Sequence, residues 1–177
     1  VRRADPMAVA MDIDAAGLPF LQGLTPPAGS KSVEELKQIV SWAQRPFILK
    51  GIMTARGAEK ALEAGASGIV VSNHGGRVLD HCPATAEVLP EIVDAVGGKL
   101  TIFVDGAIRS GMDMFKALAL GADAVLIGRP FVTTIYGGGE EGVQLYVQKL
   151  KAELADTMRM CGAHSLAEIK RSMLFGF

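Results

Sequence analysis

An imidazole, an amide and a guanidinium crowd into Ser72-Asn73-His74-Gly75-Gly76-Arg77, directly after the apolar run Gly68–Val71. A neutral imidazole takes up a proton near pH 7. A guanidinium grips a carboxylate through two parallel hydrogen bonds. His74 and Arg77 are therefore candidates for a base and a carboxylate clamp acting on one small acid. A lone histidine is more often a surface or hydrogen-bonded core residue. His74 is set apart by its place at a strand end, where barrel enzymes carry their chemistry.

Other strand-like runs end in chemically capable residues. Lys50 closes Pro46-Phe47-Ile48-Leu49-Lys50-Gly51. It either snorkels to solvent or shares the catalytic face with His74. Asp12 closes Met7–Asp12. It either orients His74 through a ring nitrogen or begins a turn with Asp14. Asp105-Gly106-Ala107-Ile108-Arg109-Ser110-Gly111 and Gly128-Arg129-Pro130 link the next two strands to helices. Both fit phosphate turns: glycines at 106, 111 and 128 let backbone approach a ligand, and Arg109 and Arg129 supply charge. The alternative is a pair of tight turns with surface arginines. His81 reads as a turn residue and His164 as structural.

These residues need a scaffold. Strand-like runs at Met7–Asp12, Phe47–Lys50, Gly68–Ser72, Thr101–Asp105 and Ala124–Gly128 alternate with helical patterns. The helices are expected from the Ser32-Val33-Glu34-Glu35 capping box onward, then over Gly57–Ala64, Ala84–Val96 and Met112–Leu120. The strands are apolar throughout, as in sheets covered on both faces. Alternation of strand and helix predicts a parallel sheet. Lys60–Val71 recurs in Lys116–Ile127, an internal echo that favours a (β/α)8 barrel over a doubly wound sheet. Residues 13–31, rich in Gly and Pro, are expected to form a loop over the active-site face. Residues 140–177 should form C-terminal helices, with a break at Gly137-Gly138-Gly139 and a short helix over Ser165–Met173. Five strands are legible where a closed barrel has eight in roughly 250 residues. The chain thus reads as the C-terminal half of an α/β barrel, expected to form a homo-oligomer or to pair with an N-terminal half-barrel.

Composition excludes several classes. The 177 residues carry a net charge of −1, with 49% hydrophobic and 21% charged residues. No basic stripe supports nucleic-acid binding, and no apolar run reaches the ~20 residues of a membrane span. The opening Val1-Arg2-Arg3 is not expected to begin a signal peptide. Cys82 and Cys161 sit apart in unlike contexts, so neither a disulfide nor a metal site is expected. The expected location is the cytoplasm.

Taken together, these segments resemble the FMN-dependent α-hydroxy acid oxidase and dehydrogenase family, which includes glycolate oxidase, lactate oxidase and mandelate dehydrogenase. The resemblance runs over about residues 7–172 and rests on Pro46–Gly51, Ser72–Arg77 with Leu79-Asp80, Asp105–Asp113, Lys116–Ala122 and Gly128–Pro130. It implies FMN as cofactor and a small L-2-hydroxy acid as substrate, oxidised to the 2-oxo acid. By position, His74 would be the base and Arg77 would bind the substrate carboxylate. Lys50 would stand near N1 and O2 of the flavin, Asp12 would pair with His74, and Ser72 would lie near the flavin. Asp105, Gly106, Arg109, Gly128 and Arg129 would hold the ribityl chain and phosphate. The chain departs from the family pattern in two places. Ile13–Leu21 contains no second carboxylate-binding arginine, and Ala107 stands where glycine is common. Two other readings are a non-catalytic half-barrel that keeps phosphate or flavin affinity, and an enzyme like the flavin-dependent isopentenyl-diphosphate isomerases.

Overall fold

The computed structural model describes residues 3–15, 18–21, 23–25 and 28–176. Five strands, β1 (Val9–Asp12), β2 (Phe47–Ile52), β3 (Gly68–Val71), β4 (Thr101–Val104) and β5 (Ala124–Val125), form one sheet in the order β1-β2-β3-β4-β5. Every neighbouring pair is parallel. Strands that follow in order through right-handed crossovers place all their helices on one face. The result is five consecutive units of a (β/α)8-type barrel, with β1 and β5 as edges.

The helices are α1 (Val33–Ala43), α2 (Ala55–Glu63), α3 (Thr85–Val96), α4 (Gly111–Ala119) and α5 (Arg129–Cys161). Caps explain where they start. Ser32 and Glu35 exchange side-chain and backbone bonds at the head of α1. The Thr54 hydroxyl accepts from the Gly57 amide, which starts α2 two residues before the sequence pattern suggests. Ser110 and Asp113 form the box that opens α4.

Alternation along the strands splits the sheet into two faces. Phe47, Leu49, Ile102 and Val104 are buried beneath the helices, with Ile69 and Val71. Small residues on α2, Ala58 and Ala61, are fully covered against this layer and let the helix sit close. The opposite, concave face carries Asp12, Lys50, Val70, Phe103 and Ala124 at matching register.

Two further expected elements differ. The last strand is two residues long rather than Ala124–Gly128, because it has one neighbour and β4 ends at Val104. The short helix expected over Ser165–Met173 is two 3-10 turns, Leu166–Glu168 and Arg171–Met173. The break at the glycine triplet is present. Gly139 has φ 54° and ψ −139°. Phe131 and Tyr146, 5.2 Å apart between ring centroids, would lie ~22 Å apart on a straight helix. The two parts of α5 therefore fold sharply against each other. No helix among the described residues is long and apolar enough to cross a membrane. The loop expected over 13–31 falls partly on Ala16, Gly17, Gln22, Pro26 and Pro27, and the basic opening on Val1 and Arg2, all outside the described residues.

Candidate active site

The chemistry-bearing side chains meet at the C-terminal rim of the sheet because each follows a strand of the same parallel layer. Lys50, His74, Arg77, Asp105, Arg109 and Arg129 line one cavity of about 670 Å³, with Gly106, Gly128 and Tyr146. That volume suits a cofactor-sized ligand.

The floor is a hydrogen-bonded chain. Lys50 Nζ donates to Asp12 Oδ1 at 2.8 Å and lies 3.9 Å from Asp105 Oδ2. The Ser72 hydroxyl donates to Asp105 Oδ2 at 2.9 Å and accepts the His74 amide at 3.2 Å. Ser72 is completely buried. It supports Asp105 and the start of the His74 loop from below, and it does not line the cavity. Asp105 also anchors α3 through its carbonyl, which accepts the buried Thr85 hydroxyl at 2.6 Å. Its Oδ1 is buried without a hydrogen-bond partner among the described residues. An unpartnered buried acceptor costs ~1–3 kcal/mol, which a ligand hydroxyl reaching that oxygen would recover.

His74 sits in a left-handed turn, φ 56°. Its loop is tied by Asn73, whose amide donates to the Pro83 carbonyl and whose oxygen accepts from Gly76. Arg77 Nε donates to the His74 carbonyl at 3.0 Å, so the exposed guanidinium is held beside the imidazole. Contrary to expectation, the carboxylate on His74 is Asp14, whose Oδ1 lies 3.2 Å from Nδ1. Asp12 is engaged by Lys50 instead. The expected Asp12–His74 pairing is corrected for a geometric reason: Asp12 stands level with Lys50 in the β1–β2 register, nearer the ammonium than the ring. Asp12, Asp14 and His74 carry ligand-type atoms within 4.8 Å of one another, but the Lys50 ammonium already supplies Asp12 with a cation.

At the other end of the cavity stand the two arginine turns. Asp113 accepts from the Arg109 and Ser110 amides at 3.0 Å each, which fixes the Arg109 backbone. Burial pushes the Asp113 carboxyl up, but the Ser110 hydroxyl and these two amides outweigh it and hold it below its ordinary value. Tyr146 donates to the Arg109 carbonyl at 2.9 Å, and burial, with Glu153 nearby, raises its phenol. Gly128 caps α5, so the positive end of that helix faces the cavity alongside Arg129. A Cβ at Gly75 would lie 2.7 Å from Arg129 Nη2, so that glycine lets the guanidinium close over the His74 loop.

One expectation about glycine is corrected. At Gly111 the backbone that approaches is protein, not ligand: a Cβ there would lie 2.2 Å from the Leu154 nitrogen. Its amide donates to Glu153. Asp14, Thr85 and Tyr146 were not legible as site residues. Only the doubled acid Asp12/Asp14 after β1 left a trace in the sequence.

The donor set fits FMN. Two guanidiniums and a helix N-terminus suit a phosphate, the Asp105 carboxylate on the cavity wall suits a ribityl hydroxyl, and Lys50 suits a ring that gains negative charge.

Comparison with known proteins agrees. The FMN-dependent dehydrogenase family matches residues 14–175. The peroxisomal (S)-2-hydroxy-acid oxidase of Oryza sativa subsp. japonica is 48% identical over 149 residues, 84% of this chain and 40% of that protein. Glycolate oxidase of Spinacia oleracea is 47% identical over 137 residues, 75% of this chain and 37% of that enzyme. A solved structure of mandelate oxidase with 3,3-difluoro-2-hydroxy-3-phenylpropionic acid superposes with a TM-score of 0.84 at 36% identity, covering 96% of this chain and 55% of that one. The chain thus spans about two fifths of the length of the curated relatives it matches. The expected cytoplasmic location does not stand: relatives from rice and Arabidopsis thaliana are named peroxisomal, and the cysteine usage behind that expectation cannot separate the two compartments. With the strand-end motifs inside the matched region and close to half of the aligned residues shared with these oxidases, the chain belongs to the FMN-dependent dehydrogenase family.

Proposed function

We propose that this chain is the flavin- and substrate-handling part of an enzyme that oxidises a small L-2-hydroxy acid to the 2-oxo acid with FMN. The observation that carries this reading is the meeting of Lys50, His74, Arg77, Arg109 and Arg129 on one cavity whose floor leaves an Asp105 oxygen unpaired. Arg109, Arg129 and the Gly106 and Gly128 turns would hold the phosphate, and Asp105 would hold the ribityl chain. Bound FMN would supply the acceptor for the substrate's electron pair. Arg77 binds the substrate carboxylate in this reading. His74 accepts the hydroxyl proton while the α-C–H bond breaks and its hydrogen leaves with the electron pair, so that the C–O bond becomes a carbonyl. Lys50 balances negative charge that grows at the rim. Residues 13–31 would cover this face, and the remaining strands of the barrel would close it.

The test has two stages. Titration of the purified chain with FMN, alone and with the complementary barrel half added, should quench flavin fluorescence. Loss of one charge-assisted phosphate contact in Arg129→Ala should weaken binding by about tenfold or more. Anaerobic lactate or glycolate should then bleach the flavin absorbance of the wild type, while His74→Ala should bind FMN nearly unchanged and stay oxidised. FMN affinity equal in wild type and Arg129→Ala would sink the phosphate assignment, and lost FMN binding in His74→Ala would contradict the role of base.

A further inference from the structure

The break in α5 sets a problem for the arginine that precedes it. The part of the helix that carries Arg129 ends in Gly137-Gly138-Gly139, and a Cβ at any of the three would meet nothing within 4 Å. Glycine is the weakest helix former short of proline, so this junction holds direction poorly. Burial does not hold it either. Among the residues of α5 only Leu150, beyond the break, is buried. The place of the Arg129 guanidinium therefore depends on contacts between the two parts. One such contact is backbone: a Cβ at Gly142 would lie 2.5 Å from the Thr134 carbonyl oxygen. Another is the Tyr146 ring, which meets the Phe131 ring edge to face. Phe131 belongs to the same first turn as Arg129, its amide donating to the Gly128 carbonyl at 3.0 Å.

Tyr146 reaches the second arginine turn with its other end. Its hydroxyl donates to the Arg109 carbonyl. Arg109 folds its guanidinium back onto its own turn, Nη1 donating to the Ala107 carbonyl at 3.1 Å. The cation thus stands where the backbone of that turn stands. One side chain touches both turns, by ring on one and by hydroxyl on the other. We propose that Tyr146 is a positioning residue that sets the spacing of the Arg109 and Arg129 guanidiniums so that both close on one phosphate group. The proposal rests on the reading of the cavity as an FMN site. Two cations already held at the right spacing lose less freedom on binding than two that must be gathered. Since the hydroxyl is engaged by Arg109, Tyr146 acts through the arginines. It therefore strengthens the hold on a flavin that carries a phosphate and leaves the hold on one without it unchanged.

Riboflavin, which is FMN without the phosphate, isolates the effect. Fluorescence titration of the purified chain should give tighter binding of FMN than of riboflavin. Tyr146→Phe keeps the ring and removes the hydroxyl. It should weaken FMN by about three- to tenfold and leave riboflavin unchanged. Tyr146→Leu, which loses the ring as well, should weaken FMN further. In an Arg109→Ala background Tyr146→Phe should do little more, because the cation it positions is gone. FMN affinity untouched by Tyr146→Phe, an equal loss for both flavins, or a full effect in the Arg109→Ala background overturns the proposal. Broadening of the ³¹P line of inorganic phosphate separates it from the flavin reading. If the wild type broadens that line, Tyr146→Phe broadens it less, and neither flavin binds, the positioning stands and the FMN assignment falls. A wild type that binds neither phosphate nor FMN overturns both.

Discussion

Ala107 pays most visibly for the shape of the site: a residue with a Cβ held at φ 58° on the cavity wall. The left-handed conformation costs a non-glycine residue ~1–2 kcal/mol. Glycine would remove that strain and give back ~0.4–1 kcal/mol through the freer unfolded chain. Ala107→Gly should therefore stabilise the fold by about 0.5–1 kcal/mol, measured as a raised denaturant midpoint with unchanged m-value. A lowered midpoint would mean that the methyl makes packing contacts worth more than the strain. The individual site residues were legible to unequal degrees. Lys50 closes a run of apolar residues and His74, Arg109 and Arg129 follow others within a few positions, and parallel strands bring such ends together without further information. Asp14 was hidden because its partner is decided by a backbone slip at Gly51, and no side-chain pattern marks a bulge. Ser72 lies fully buried, which its place at a strand end does not reveal, since sequence shows proximity to that end and not depth beneath it.

At the scale of elements, the Arg109 turn is held from two sides, and each side gives a prediction. From below, α4 and α5 touch at Gly111, where an added methyl would meet the Leu154 backbone at 2.2 Å. Backbone cannot yield as a flexible side chain can. Gly111→Ala should destabilise the chain by ~1–3 kcal/mol, read by chemical denaturation. From within, Asp113 ties the Arg109 and Ser110 amides. Its carboxyl is held below the ordinary value. The stabilisation is thus complete above about pH 4, near the ordinary carboxylate range, and disappears as pH falls through the lowered folded value. Hydrogen-exchange protection of these two amides should fall on acidification through that window, and should already be low at neutral pH in Asp113→Asn. Protection that ignores both changes would show that α5, through Tyr146, holds the turn alone. The elements themselves were readable from apolar runs and caps. The exceptions were ends set by neighbours: β5 stops where β4 stops, and α2 starts where the Thr54 hydroxyl finds the Gly57 amide.

For the whole molecule the decisive fact is that the sheet is open. β1 and β5 each have a neighbour on one side, and an unpaired parallel edge is a template for further pairing. After β5 in the chain, Leu126 and, on the first part of α5, Val132, Ile135 and Tyr136 are exposed, at 41%, 53%, 55% and 89%. Exposed large apolar side chains and a free edge both favour association. The chain on its own should therefore self-associate, with sedimentation velocity showing a weight-average mass that rises with concentration. Val132→Lys with Ile135→Glu places charge on that surface while leaving the cavity-lining residues and the buried core untouched, and should shift the distribution toward monomer without altering far-ultraviolet dichroism. A monomer at every concentration would show that the inner face and both edges are tolerated in water. The same open edges explain why sequence could announce a barrel and count its strands without supplying closure: the repeat at Lys60–Val71 and Lys116–Ile127 encodes the βα unit, whereas among the described residues β1 and β5 each lack a second neighbour.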